Sequence, residues 1–273
     1  MLCLSYDWRR KAGSSDYFFL SLLKLEPTAP MNRVVGPDKA AGLEVYAGFV
    51  QIRKKIRLEM EINNVSSTHE VASMAIQLNK NAFGLSPASQ QIICNPPIPI
   101  GGTGAAACEV VCQPNMLAPV PSGQPASPQI QVAIKNMQTG TVFYFAVNMN
   151  IEALFSPDGA MERSTFIESW KSIDDRNELY STVSDLPRDS CDIDHVQQKF
   201  KAYNIFFIAR RPVPNAEGQE VVYFSMRTVT NLEFLAELTF KQGVNACKLC
   251  LKTENAPYGL MAKAALERLL RGA

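Results

Sequence analysis

Residues 141–178, TVFYFAVNMNIEALFSPDGAMERSTFIESWKSIDDRNE, hold the change of local pattern that decides how the chain folds. The stretch opens at period two. Phe143, Phe145, Val147 and Met149 fall on one side of an extended strand, and Val142, Tyr144, Ala146 and Asn148 on the other. Tyr144 is therefore expected to point away from the core. Beyond the Pro-Asp-Gly turn at 157–159 the period becomes helical, so Arg163, Phe166 and Trp170 recur roughly a turn apart, with Lys171 and Glu178 close behind. A large aromatic flanked by Arg, Lys and Glu has the composition of a peptide-docking anchor. It lacks the makings of a catalytic centre.

Upstream the chain reads as all-β. In KIRLEMEIN, Ile56, Leu58, Met60 and Ile62 alternate with Arg57, Glu59 and Glu61, giving one buried and one wet face. Similar runs occupy 42–52, 74–83 and 130–135. Several short strands separated by Asn, Gly and Pro suggest an immunoglobulin-like sandwich. Residues 95–129, rich in Pro, Gly, Ala and Ser, read as a long loop or edge crossing with local disorder.

Downstream, DIDHVQQKFKAYN is helical by the spacing of Val196 and Phe200. Strands follow at IFFIARR, EVVYFSMRTV, FLAELTF and ACKLCLKT. The last segment, PYGLMAKAALERLLRGA, is an amphipathic helix with Leu260, Ala264 and Leu269 among the expected buried positions. Helices segregated to one side of a small antiparallel sheet give an α+β unit, and the sheet's other face is buried only if another layer covers it. Alternation alone puts Tyr223 and Glu237 on that other face, opposite Val222, Phe224 and Met226 and opposite Phe234, Ala236, Leu238 and Phe240.

Composition narrows the function. A chain of 273 residues, 47% hydrophobic, can bury one or two cores, and two fits better. A net charge of +1 gives no reason to expect nucleic acid or an acidic membrane as partner. The run Arg53, Lys54, Lys55 reads as a solvated strand end. Seven cysteines, at 3, 94, 108, 112, 191, 247 and 250, form no even framework and point to reduced thiols. Cys247 and Cys250 have CxxC spacing but no second ligand pair, and the two histidines, His69 and His195, read as surface side chains. Neither a metal site nor a nucleophile with its base is expected, and no cofactor. Glu178 with Glu237 as paired carboxylates is the one enzymatic alternative, and no phosphate loop or metal set accompanies it.

The first 33 residues do not read as part of the fold. Their apolar run YFFLSLL at 17–23 is too short for a membrane span of about 20 residues. As a signal peptide the run is spoiled by Asp16 before it, Lys24 and Glu26 after it, and the lack of a small-residue cleavage site.

The wording of the opening stretch ("VFYF", "LF", "DG", "MER", "F", "WK", "NEL") resembles the C-terminal appendage, or ear, of the beta subunit of clathrin adaptor complexes, beta-adaptin. "IQLNKNAFG" at 76–84, "NELYS", "NIFFIARR", "EGQE" ahead of Tyr223 and "LAEL" around Glu237 follow in the same order. The resemblance runs from about residue 38 to the C-terminal helix. It implies an α+β chain in which residues 1–37 are a poorly ordered extension or linker remnant. Residues 38–153 would form an immunoglobulin-like β-sandwich, and 154–273 a mixed α/β platform subdomain with a small antiparallel sheet and flanking helices.

In that family the platform has a groove for short helical peptides. The matching positions are Arg163, Trp170, Lys171, Glu178, Arg211, Tyr223 and Glu237. Trp170 and Tyr223 suit the clamping of Phe or Leu side chains, the two glutamates suit a basic residue near the ligand helix's end, and the three cations its acidic start. The bland alternative is that Trp170 is a core tryptophan. A second site for short extended motifs would lie around Tyr144, with Gln77, Lys80, Gln131, Ala133 and Lys135 on strands beside it; an exposed strand tyrosine can equally serve cross-strand packing. The implied partners are accessory and cargo-adaptor proteins, clathrin and, in a full-length subunit, other adaptor subunits, at coated membranes facing the cytoplasm and without membrane insertion. An appendage of another adaptor large chain or of coatomer is the nearest alternative. Two departures flank the implied sites: the turn at 135–142 looks about two residues longer than the family's, and the loop RRPVPNAEGQE is extended.

Overall fold

The computed structural model describes residues 31–272. The apolar run at 17–23 and most of the expected extension lie outside the described residues. Among these are fourteen strands and three α-helices, with every strand pairing antiparallel.

Nine strands make two sheets in the first half. One sheet runs β1 (Asn32–Val35), β2 (Leu43–Ile52), β3 (Lys55–Asn64), β7 (Thr103–Cys112) and β5 (Leu85–Pro87) in that spatial order. The other runs β6 (Gln91–Ile98), β4 (Val71–Leu78), β8 (Gln129–Asn136) and β9 (Val142–Asn148). Alternation does what the sequence asks of it. Ile56, Leu58, Met60 and Ile62 of β3 meet Ile130, Val132 and Ile134 of β8 and Phe143, Phe145 and Val147 of β9 in one apolar cluster. Full burial of each such side chain stabilises by roughly 1.5–3 kcal/mol, which fixes the register of both sheets.

Two expectations fail in this half. β1 falls inside the expected extension and pairs with β2, so residues 32–35 belong to the fold. Residues 95–129 are not one loop: β6 runs on to Ile98 and β7 fills 103–112. The prolines of β6 are tolerated because it is an edge strand. The alternation of β7 was masked by its small residues, although Ala106, Cys108 and Val110 are buried against β3. Gly104 is required at the crossing, since a Cβ there would stand 2.6 Å from Ile98 Cγ1. Arg53 and Lys54 form the β2–β3 turn and Lys55 opens β3, all three exposed, and His69 and His195 are exposed elsewhere on the surface.

The second half is a five-stranded sheet ordered β10 (Glu178–Ser184), β14 (Ala246–Lys252), β13 (Glu233–Lys241), β12 (Gln219–Arg227) and β11 (Phe206–Pro212). On its inner face lie α2 (Ile193–Ala202) and α3 (Ala256–Arg271). The side chain of Asp192 caps α2 by accepting from Asp194 N at 2.9 Å, and Ile193, Val196 and Phe200 form its buried stripe. In α3 the buried stripe is Ala262, Ala265, Leu266, Leu269 and Leu270. Leu260 and Ala264, expected inside, face solvent: the apolar residues around the helix are too many to fix its rotation, and Gly259, packed against Leu179, sets it instead.

The helices are not segregated to one side. The helix of Trp170, α1 (Arg163–Ser172), lies on the opposite face of the sheet. It ends with Ile173 as its cap, so Glu178 is not on the helix but opens β10.

The two halves share one core. Phe155, fully buried, stacks at a tilt on Phe234, and Asn204 donates from Nδ2 to both Gln51 Oε1 at 2.7 Å and Phe155 O at 2.8 Å. Tyr258 Oη donates to Ala82 O at 2.7 Å, and Glu152 pairs with Arg268.

Candidate functional site

The outer face of the five-stranded sheet is ruled by strand register. Tyr223 lies opposite Glu237, Glu237 opposite Cys250, Cys250 opposite Tyr180, and on the other side Tyr223 faces Ala209. These five residues form one row across all five strands. Beyond the row towards one end of the strands, α1 covers the face. Leu235 and Ser225, on that face and fully buried, lie beneath it, and Phe166, Ile173 and Leu235 form a second apolar cluster flanked by Met161, Trp170, Ile208 and Tyr223. Ser225 Oγ donates to Gly159 O at 2.7 Å, and a Cβ on Gly159 would come within 2.6 Å of Arg227 N, so the turn at 157–159 needs glycine to press α1's approach onto β12.

Half of the outer face is thus roofed and half is open, and Trp170 stands at the boundary. Phe166 is the residue that holds it there. Its ring stacks on Trp170 with centroids 5.5 Å apart and meets Tyr223 edge-on at 5.6 Å; Trp170 and Tyr223 meet edge-on at 6.1 Å. Each such contact adds about 0.5–1.5 kcal/mol to simple burial. Trp170 and Tyr223 remain half-buried, with Phe166 behind them inside. The two rings from residues far apart in sequence therefore line one notch at the solvent boundary.

The charged residues around the notch differ in how they are held. Arg211 donates to Tyr223 Oη from Nη2 at 2.7 Å and from Nε at 3.1 Å, with its guanidinium 5.6 Å from the ring centroid. Burial pushes the Tyr223 hydroxyl above the ordinary tyrosine value, Arg211 pulls it back, and nearby Glu237 reinforces the rise. Glu237, Arg163 and Lys171 make no ion pair among the described residues. Arg163 is the first residue of α1, where a positive charge works against the helix dipole. Its placement is not explained by helix stability.

Glu178 is brought to the region but not to its surface. Its carboxylate, with the side chain 11% exposed, is held by Lys252 Nζ at 2.6 Å. Lys252 is the residue that sequence reasoning missed. It is almost wholly buried, donates also to Asp175 Oδ1 at 2.9 Å and to the carbonyls of Trp170 and Ile173 at 3.4 Å, and lies 5.3 Å from the Trp170 ring centroid. Burial pulls its pKa down, but the hydrogen bonds to Glu178 and Asp175 outweigh that and leave it raised. One cation thus ties the end of α1, the following turn and β10 together under the indole. The one available signal was alternation in ACKLCLK, which puts Lys248 and Lys252 on the outer face with Cys250.

That alternation also disposes of the CxxC pair. Cys247 and Cys250 are three apart on a strand and point to opposite faces, and both thiols are pushed up to about 12, foremost by burial.

The face around Tyr144 is simpler. Gln77, Ala133 and Tyr144 form a straight row across β4, β8 and β9; Gln131 lies opposite Ala146, and Lys135 opposite both Ala75 and Val142. Lys80 is exposed beyond the end of β4 rather than on it. Tyr144 is 72% exposed, and the three strands carry no carboxylate. The turn beyond Lys135 is fastened to β4, because Gln138 Oε1 accepts from Ala72 N at 3.2 Å and Ser73 N at 3.3 Å. The loop between β11 and β12 is closed by Val213 N donating to Gln219 O at 2.9 Å, with Arg210 and Glu220 paired at its base.

Comparison with known proteins bears on both halves. The family model described as the beta2-adaptin appendage, C-terminal sub-domain, matches residues 156–270. The AP-1 complex subunit beta of Dictyostelium discoideum is 29% identical over 246 residues, covering 88% of this chain and 25% of that protein. The AP-1 complex subunit beta-1 of Mus musculus is 30% identical over 264 residues, covering 95% and 26%; that of Homo sapiens is 30% identical over 267 residues, covering 95% and 27%. The chain spans about a quarter of the length of these curated relatives.

Proposed function

The chain belongs to the beta-adaptin appendage family, and from that premise we propose that it is a non-enzymatic interaction module which recruits accessory proteins and clathrin in vesicle-mediated transport. On this reading residues 38–153 are an immunoglobulin-like sandwich and 154–273 a platform, with the β1 strand added to the sandwich's edge. The working place is the cytoplasmic side of coated membranes, held there through the rest of an adaptor subunit. No helix among the described residues is long and apolar enough to cross a membrane.

The observation that carries the reading is the notch of Trp170 and Tyr223. Two large rings, edge to face at 6.1 Å and held from behind by a buried Phe166, form a preorganised receptor for the apolar face of an amphipathic helix. Glu237 offers its carboxylate to a basic residue of the ligand, and Arg163, Lys171 and Arg211 receive an acidic one. Glu178 acts from beneath, through Lys252, by fixing Trp170. The second surface is the Tyr144 row: Gln77, Gln131 and Ala133 give a flat floor, Tyr144 a single anchor, and Lys80 and Lys135 a positive rim. That combination suits an extended acidic motif with one apolar side chain.

The platform reading is tested with a synthetic amphipathic peptide carrying Leu and Phe one turn apart and an Arg in the next turn. Trp170→Ala or Tyr223→Ala should each weaken its binding, measured by calorimetry, by about tenfold or more, with circular dichroism unchanged. Wild-type binding by both variants rules the platform assignment out.

A further inference from the structure

We propose that the helix groove does not end at Glu237 but continues across β14 and β10 to Tyr180 and Lys248. This extension takes the final turns of a helical peptide, with an aromatic or large apolar side chain on Tyr180 and a carboxylate facing Lys248. The inference rests on the reading of Trp170 and Tyr223 as a helix-docking notch.

The register is the first reason. Tyr223, Glu237, Cys250 and Tyr180 stand in one line at right angles to the strands, and beyond Trp170 Glu237 is half-buried, Cys250 lies low between its neighbours and Tyr180 is exposed. Neighbouring strands lie about 4.8 Å apart and an α-helix rises about 5.4 Å per turn, so a helix laid along the row sets roughly one turn over each strand. From Ala209 to Tyr180 the row spans about 19 Å, the length of about 13 helical residues. A ligand that used Trp170 and Tyr223 alone would occupy only half of it.

The second reason is the shape and chemistry of that unused half. A depression of about 270 Å³ is lined there by Tyr180, Thr182, Glu237, Thr239, Lys248 and Cys250. Its floor at Cys250 is an uncharged thiol. Tyr180 is 67% exposed although it sits in a strand whose neighbours Leu179 and Val183 pack inward. Lys248 is exposed and makes no ion pair among the described residues. Apolar surface, a neutral floor and an unpaired cation one row further on define an acidic, aromatic-bearing helix end as the matching occupant. Charge then alternates along the groove, with Arg211 at one end, Glu237 in the middle and Lys248 at the other, which calls for acidic, basic and acidic side chains in that order along the ligand.

The test uses two synthetic helical peptides and the full chain. The shorter peptide carries only the Leu and Phe anchors and the Arg meant for Glu237. The longer one adds two C-terminal turns with a Phe and a Glu. Calorimetry should show the longer peptide binding wild type about tenfold more tightly, a difference of about 1.4 kcal/mol. Tyr180→Ala and Lys248→Glu should each reduce that advantage while leaving the shorter peptide's affinity unchanged. Equal binding of the two peptides by wild type overturns the extension, as does a Tyr180→Ala chain that keeps the full advantage or loses affinity for both peptides alike. Trp170→Ala should weaken both by about tenfold or more. If the shorter peptide fails to bind wild type, or binds Trp170→Ala as tightly as wild type, it is the notch itself that is wrongly assigned, a result distinguishable from failure of the extension alone.

Discussion

The row of Tyr144 and the notch of Trp170 are built in opposite ways. The first is a property of strands: Gln77, Ala133 and Tyr144 line up because β4, β8 and β9 pair in register, and the tyrosine stands 72% exposed. The second is a property of the tertiary fold. Trp170 comes from α1, Tyr223 from β12, Arg211 from β11, and the lysine under the indole from β14. A flat face with one exposed anchor is cheap to make and tolerant of change. A notch held by a ring stack and a buried ion pair is preorganised, and it ties binding to stability.

That contrast is broken or sharpened most strongly at Lys252. Lys252→Met leaves Glu178 without its cation in a site where the carboxylate is largely shielded, and removing one partner of such a pair costs about 3 kcal/mol or more. The urea midpoint should fall accordingly, whereas Tyr144→Ala should shift stability by no more than about 0.5 kcal/mol. Similar midpoints for the two variants would show that the notch is not held by the ion pair.

Next in size is a crossed binding experiment. Trp170→Ala should weaken an amphipathic helical peptide by about 2 kcal/mol, some thirtyfold, and leave an extended acidic peptide unaffected. Tyr144→Ala should do the reverse, with a smaller loss. If either variant harms both peptides equally, the two surfaces are not independent.

The smallest effect concerns pH. Because the pKa of Lys252 is raised on folding, its stabilisation is fully present below the ordinary lysine value of about 10.4 and is lost as pH rises through the raised folded value. Stability curves should therefore show an alkaline decline that Lys252→Met shares less than wild type does. A variant with the same alkaline slope argues that Lys252 is not the titrating group.

Much of this architecture was legible beforehand, and the reasons are physical. Period-two alternation found β3, β8 and β9 because each has one buried face, and β2, β12, β13 and β14 because their apolar residues still recur mainly on one side. It failed at β7, where Ala105, Ala106 and Ala107 give no contrast between faces, and at β6, where Pro96 and Pro97 read as a break although an edge strand accepts them. Alternation also predicted that Tyr223 and Glu237 share a face. It could not foresee that Ser225 and Leu235 on the same face would be buried, because α1 crosses there and local periodicity carries no information about a helix from 60 residues away.

Glu178 shows the same boundary from the other side. Placed close behind the Trp170 helix, it was expected to meet a basic residue of a ligand; in the fold it opens β10 and is taken by Lys252, a side chain more than 70 positions later. The sequence alone determined which residues face in and out of each strand, the change from sheet to helix after the Pro-Asp-Gly turn, and the want of a nucleophile with its base, since these follow from local spacing and composition. Only the tertiary structure decided that Trp170 stops at the surface instead of joining the core. That outcome depends on Phe166, Tyr223 and Lys252 meeting in space, and distances between remote residues are set by packing, not by periodicity.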